Sequence, residues 1–179
     1  MTLRRTICAS LVVILITPVL AQEPQATTRE SSRTPQDAQK RLEELACGPA
    51  GVHHRVRTEK NPQALPEQPP GKGLIYVIRP THYGGSDQAK LAVDGKWVGV
   101  NRMMTYFYFT LDAGPHYFCS QSENRSLLSL VVEPGKTYYL QQKIRMGMFK
   151  AQNDLQLLEE DEGKRGLAKC KLSVFEEKR

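Results

Sequence analysis

The residues best able to do chemistry in this 179-residue chain are four cysteines, four histidines and a scatter of carboxylates. Cys47, Cys119 and Cys170 follow the apolar N-terminus in which Cys8 sits. No Cys-x-x-Cys or paired Cys/His spacing occurs, so a tetrahedral zinc centre is not encoded and no metal or other cofactor is implied. His53 and His54 are adjacent, and neighbours on an extended chain point to opposite sides, which makes them a poor ligand pair. His82 and His116 lie in or beside turn-rich stretches, and nothing in their spacing brings them together. The usual nucleophile, phosphate-loop and metalloprotease spacings are missing. Asp87, Asp94, Asp112 and Glu133 are dispersed, and they would serve a glycan-active hydrolase only if folding paired two of them across a cleft. "EEDEG", residues 159–163, lacks the alternating oxygen ligands of a calcium loop and reads as the acidic first turn of a helix.

Two surface patches offer binding rather than bond-making chemistry. Met146, Met148 and Phe149 stand among Lys143, Arg145 and Lys150 in "KIRMGMFK", residues 143–150. An apolar loop rimmed by cations suits a membrane surface or an acidic partner. The competing reading is that these apolar side chains plug one end of a core. Tyr83, Trp97, Tyr106 and Tyr108 form the second set. Exposed together they would make an aromatic face for sugar rings; the competing reading is cross-strand packing.

What must position these residues is a chain with distinct sections. Residues 1–21 have a basic start at Arg4-Arg5, an apolar run shorter than a spanning helix and a compact Val19-Leu20-Ala21 end, the pattern of a cleaved secretory signal peptide. No later segment is apolar and long enough to span a membrane. The formal net charge is +6. Two of those charges lie in the leader and no dense Lys/Arg stripe appears, which excludes a nucleic-acid footprint. Residues 22–34 are polar and read as disordered. A helix is expected over 35–47, capped by Thr34 with Pro35 at its first position, Asp37 at its third, and Ala38, Leu42, Leu45 and Ala46 on one face. Gly48-Pro49 stops it. Cys47 resembles a lipid-attachment cysteine, but Glu44 occupies the place where an apolar residue is needed. Residues 48–72 form a Pro-rich connector with room for a short strand at Val52–Val56.

From residue 73 to 175 the pattern has period two. About eight short strands separated by Gly, Pro and Asp turns predict a mainly β fold, an antiparallel β-sandwich. Asp94-Gly95 marks one hairpin; further hairpins are expected to turn at Asp112–Pro115 and Pro134-Gly135, "NDLQLLEE" reads as the last strand, and "DEGKRGLAKCKL" as a short C-terminal helix. Phe107, Phe109 and Leu111, then Leu128, Leu130 and Val132, then Tyr138, Leu140 and Ile144, make the expected inward faces. Three cysteines in an exported domain allow three pairings, or three separate thiols, and spacing does not choose among them.

"GKGLIYVIRP", "VDGKWVG", "YFYFTLDAGPHYFC", "EPGKTYYLQ" and "EEDEGK" occur in an order that resembles the bacterial domain of unknown function 2846 family, over roughly Gly71 to Lys171. The resemblance implies a sandwich of the regulatory, carbohydrate-binding-like kind in a secreted or lipid-anchored envelope protein. It also implies a bridge between Cys47, in Cys47-Gly48-Pro49, and Cys119, in His116-Tyr117-Phe118-Cys119, which leaves Cys170 over. The combined expectation is a secreted, non-catalytic envelope module, periplasmic or extracellular, that has an interaction or structural role. Its partner would be an envelope protein or glycan, with peripheral membrane contact available. The alternatives are a carbohydrate-binding module or a glycan-active hydrolase.

Overall fold

The computed structural model describes residues 34–60, 66–83, 87–146 and 151–178. The expected signal peptide, most of the expected polar stretch at 22–34, and Met148 and Phe149 lie outside the described residues.

The first helix, α1 (Pro35–Ala46), begins where the sequence places it. Thr34 Oγ1 accepts the Asp37 N–H, and Asp37 Oδ2 accepts the Thr34 N–H, each at 3.3 Å, a reciprocal capping box. The expected apolar face does not dock as a whole. Ala38 and Leu45 are exposed, Leu42 is half-buried, and only Ala46 is fully buried. The sandwich therefore holds the helix by its last turn.

Ten strands follow: β1 (His54–Glu59), β2 (Lys72–Arg79), β3 (Ala89–Val93), β4 (Lys96–Asn101), β5 (Thr105–Asp112), β6 (Gly114–Gln121), β7 (Arg125–Val132), β8 (Thr137–Met146), β9 (Ala151–Leu158) and β10 (Lys171–Glu177), with α2 (Glu160–Leu167) before the last. They form two sheets, a six-stranded one ordered β1-β10-β5-β2-β8-β9 and a four-stranded one ordered β4-β3-β6-β7. Most pairings are antiparallel; β10 with β5 and β2 with β8 are parallel. The fold is thus the expected β-sandwich, with ten described strands rather than about eight.

The two extra strands come from the connector, whose sequence has room for a short strand, and from the end of the expected C-terminal helix. β1 lies in the Pro-rich connector and extends beyond the expected Val52–Val56. β10 takes over the end of the expected C-terminal helix, which stops at Leu167, so β9 is not the last strand. Each completes the other, because β1 pairs along its whole length with β10. β10 joins β5 only through Lys171 and Leu172; Ser173 then turns its hydroxyl to the Val100 carbonyl at 2.6 Å, carrying the ribbon against β4.

Only one of the three expected hairpins is a hairpin. Asp94 and Gly95 both have positive φ (48° and 79°), the two-residue turn that right-twisted strands require, and they join β3 to β4. The chain at Asp112–Pro115 instead crosses between sheets, since β5 pairs with β2 and β10 while β6 pairs with β3 and β7. Pro134-Gly135 likewise carries the chain from β7 in the small sheet to β8 in the large one. These arches face strand against strand through side chains, and those side chains are the core. Ile75, Val77, Phe107, Phe118, Val132 and Leu140 are buried between the sheets, with Phe109, Leu111, Leu128, Leu130 and Tyr138 packed on them, as the alternation predicts.

Toward the end of the sandwich where β4 finishes and β5 starts, the core becomes polar. Asn101, Gln142, Ser120 and Asn153 are buried. Asn101 Nδ2 donates to the Val77 carbonyl and to Gln142 Oε1, both at 3.1 Å, and Gln142 Nε2 donates to Ser120 Oγ at 2.9 Å. Thr105 Oγ1 donates to Asn101 Oδ1 at 2.9 Å. The chain of uncharged groups joins β4 and β6 of one sheet to β5, β8 and β9 of the other. A buried network whose members satisfy one another fixes how two sheets align.

Candidate functional site

Each sheet carries a helix on its outer face, and the helices build two distinct surfaces. On the small sheet, Cys47 at the end of α1 is disulfide-bonded to Cys119 on β6, with Cα atoms 5.0 Å apart. Ala46, Ala92 and Cys119 are buried around the bridge, with Trp97 and Leu127 against them. Gly48 lies so close to the Trp97 ring that a Cβ there would overlap it. The Trp97 indole donates to the Pro49 carbonyl at 3.0 Å, and Lys90 Nζ stands 4.6 Å from the ring while donating to the Val52 carbonyl at 3.1 Å. Burial holds the Lys90 ammonium below its ordinary value. The Gly95 N–H donates to the Ala46 carbonyl at 3.2 Å, and Arg125 pairs with Glu43 at 3.0 Å. The motif Cys47-Gly48-Pro49 is therefore a latch: one covalent bond, one aromatic clamp and one turn seize the last turn of α1.

Beside this latch folding assembles a group the sequence did not reveal. Asp94 Oδ1 accepts the Tyr117 N–H at 2.9 Å, and its Oδ2 stands 2.6 Å from His116 Nδ1. His116 Nε2 stands 3.0 Å from the Asp112 carbonyl oxygen, and the Asp112 carboxylate pairs with Lys72 at 2.6 Å. Partial burial alone would raise the Asp94 carboxyl, but the Tyr117 N–H and His116 hold it below the ordinary carboxylate range. A carboxylate–imidazole pair invites a general-base reading. Here the far ring nitrogen faces a backbone carbonyl, so the pair closes the end of the sandwich instead of presenting a nitrogen to a substrate. The signal for it was the Asp94-Gly95 turn, which places Asp94 next to whichever strand neighbours β3. That strand is β6, through the pairing of Val93 with Phe118.

The other surface lies on the large sheet. α2 packs on Leu74, Tyr76, Ile78, Tyr106 and Tyr139, with Leu158, Leu167 and Leu172 at the margins. It approaches closely because Gly163 and Gly166 face the sheet; a Cβ at the first would overlap the Tyr139 ring and one at the second the Ile78 side chain. Glu160, Asp161 and Glu162 form the first turn of α2, as the acidic stretch predicts. At the far end of the helix a cleft of about 330 Å³ opens between α2 and the sheet, lined by Ile78, Pro80, Gln141, Leu158, Glu162, Arg165, Gly166 and Lys169. Ile78, Pro80 and Leu158 give it apolar surface, Arg165 and Lys169 two cations and Glu162 one anion. At the same end of the sheet Lys171 and Lys60 line a second depression with Thr58 and Glu59.

The expected aromatic face is not assembled. Tyr106 and Tyr108 lie on the outer face of the large sheet, clustered with Tyr76 and Tyr139, and Tyr106 is buried. Trp97 belongs to the latch on the other sheet, and Tyr83 is exposed, with no ring contact to the other three among the described residues. The reason is topological: Trp97 is on β4 and Tyr106 on β5, which belong to different sheets. Of the expected cation-rimmed patch, Lys143 and Arg145 are exposed on β8, with Arg145 paired to Asp154 at 3.2 Å. The Met146 side chain, Met148 and Phe149 lie outside the described residues. Glu133 pairs with Lys136 at 2.7 Å. Among the described residues no cluster of three metal-ligating side chains occurs, and no helix is long and apolar enough to cross a membrane.

No family model matches the chain. It is similar to an uncharacterized protein of Haemophilus influenzae, 30% identical over 105 residues. The match covers 58% of this chain and 62% of the relative. No solved structure matches.

Proposed function

We propose that this protein is an exported, non-catalytic interaction module of the bacterial cell envelope. The observation that carries the reading is the Cys47–Cys119 bridge, because a structural disulfide persists in oxidising compartments. The leader-like N-terminus and the resemblance to the domain of unknown function 2846 family support the same reading. On the small-sheet surface the paired ionisable groups hold elements together, Asp94 with His116 and Glu43 with Arg125, which favours binding over bond-making there. The test is to express the chain from its own first residue in a bacterial host and fractionate the cells. The exported fraction should hold protein beginning at Gln22 whose digest contains a Cys47–Cys119 linked peptide. Protein retained in the cytosol with both thiols alkylatable would refute the reading.

A further inference from the structure

The geometry points to a docking strip for an anionic phospholipid surface, formed by Lys60, Lys171, Lys169, Arg165 and Lys143 along one end of the large sheet. This rests on the envelope reading above and names the partner class. β2, the β1 strand and β8 finish at this end and β5 and β10 start there, as the pairings of Arg79 with Thr105, Thr105 with Lys171, Leu172 with Glu59 and Ile78 with Gln141 require. Arg165 and Lys169 line the α2 cleft beside Gln141, and Lys143 follows Gln141 on the same face of β8. Lys171 and Lys60 share a second depression at the same end of the sheet, where Lys171 pairs with Thr105 and Leu172 turns toward the α2 cluster. All five cations are exposed, and none makes an ion pair among the described residues. The local carboxylates do not cancel them: Glu59 is taken by Arg57, Asp154, opposite Lys143 on β9, is taken by Arg145, and Glu162 is one charge.

The shape favours a surface over a narrow ligand. Arg165 lies on α2, Lys169 in the turn after it, Lys60 and Lys171 at strand ends and Lys143 within β8, a spread wider than either depression. Met103, in the turn between β4 and β5, is 46% exposed, and the Lys171 N–H donates to the carbonyl of the next residue, Met104, at 3.0 Å. An apolar side chain thus stands beside the strip, where shallow insertion among headgroups would add to charge attraction.

Vesicle sedimentation tests this with the full-length exported protein, its disulfide intact. The protein should sediment with phosphatidylcholine vesicles containing about one third phosphatidylglycerol and stay in solution with pure phosphatidylcholine, and raised salt should release it. Each Lys or Arg near such a surface contributes roughly five-fold in partitioning, so Arg165→Gln/Lys169→Gln/Lys171→Gln should bind on the order of 100-fold more weakly. Lys60→Gln/Lys143→Gln should lose on the order of 20-fold by the same constant, giving a second reading should the triple variant fold poorly by circular dichroism. Lys96→Gln, exposed at the opposite end, should bind like the parent. Equal sedimentation with both vesicle types, or unchanged binding by the folded variants, would overturn the proposal. So would tight binding of soluble polyglutamate without vesicle capture, which would assign the strip to an acidic polypeptide. Failure on vesicles leaves the export and disulfide tests of the broader reading untouched.

Discussion

Removing the latch disulfide should destabilise the domain and loosen α1 selectively. The perturbation is Cys47→Ala/Cys119→Ala. The bridge spans a sequence separation of 72. Closing a loop of that length in the unfolded chain corresponds, by the chain-entropy relation, to about 4 kcal/mol. For a domain of this size that is a fall in Tm of roughly 10 °C. The second expectation is local. Residues 35–41 of α1 are exposed along every face, and a helix of 12 residues is marginal in water by itself. Without the bridge, Ala46, the Gly95 N–H to its carbonyl, the Trp97 clamp on Pro49 and the Glu43–Arg125 pair remain to hold it. Exposed pairs of that kind contribute at most about 1 kcal/mol. Urea unfolding followed by circular dichroism gives the global number, and its slope should rise as the unfolded ensemble expands. Hydrogen exchange gives the local one: amides of residues 38–46 should exchange as fast as in a free peptide in the variant. An unchanged midpoint together with unchanged protection of α1 would show that the bridge neither constrains the unfolded chain nor anchors the helix, and the latch argument would fail.

Other expectations follow from packing and charge. Gly163→Ala gains about 1 kcal/mol of helix propensity but drives a methyl into the Tyr139 ring, so a net loss of 1–3 kcal/mol is expected in urea unfolding; a stabilised variant would mean that α2 stands further from the sheet. Gln142→Leu leaves part of the Asn101 amide unpaired in the core and takes one donor from Ser120, which keeps Asn153; it should cost about 1–3 kcal/mol, whereas a neutral result would refute the role of the polar network. The Asp94 carboxyl is held low when folded, so the unfolded chain binds its proton first as pH falls. Its contribution is present above the ordinary carboxyl range, near pH 4, and is lost as pH drops through the folded value; Asp94→Asn should flatten stability against pH in that acid window, and an unchanged profile would count against the His116–Asp94 contact. Burial pushes the Cys170 thiol up to about 11, so in native protein at pH 8 it should resist a disulfide reagent that modifies it fully in denaturant.

The parts of this fold legible in the sequence are those in which local chemistry leaves one solution. Thr34, Pro35 and Asp37 satisfy the free donors of a helix start wherever the rest of the chain lies. Asp94-Gly95 takes two positive φ angles that only a tight hairpin uses. Alternation marks which side of Phe107, Leu128 and Leu140 turns inward, because a strand between two sheets has one apolar side regardless of its neighbours. β10 was not legible, and β1 only as a short strand set nearer Val52. His54–Glu59 and Lys171–Glu177 are charged, and their burial is limited to Val56, Ser173 and His54. What makes them strands is the hydrogen bonding each offers the other across more than a hundred residues. The strip of cations was hidden for a related reason, since Lys60 and Lys143 join Arg165, Lys169 and Lys171 only in the fold.

The turns at Asp112–Pro115 and Pro134-Gly135 show where this logic stops. Turn residues specify that the chain reverses, not whether the returning strand lies beside the first or on top of it. In a hairpin the backbones bond and the side chains of both strands share a face. In an arch the backbones bond elsewhere and the inner faces of the two strands meet. Phe109 and Leu111 precede the first arch and Phe118 follows it; Leu130 and Val132 precede the second and Tyr138 and Leu140 follow it. All seven belong to one cluster, which a hairpin with the same alternation would also have produced on a single sheet. What decides is the number of strands each sheet can recruit. The large sheet gains β8 beside β2, held by the Leu74 N–H to the Lys136 carbonyl at 2.9 Å, only because Pro134-Gly135 sends the chain across. That crossing leaves β7 and β9 as neighbouring edges. They are stitched by Asn124 and Ser126, whose side chains accept the Asn153 and Leu155 N–H groups at 2.6 and 2.9 Å. Asn124 and Ser126 thus occupy the donors that an open edge would offer to another chain. The arch at Pro134-Gly135 and the polar stitch at Asn124 are two consequences of one topological choice, made by the sheets as a whole and invisible to either stretch of sequence alone.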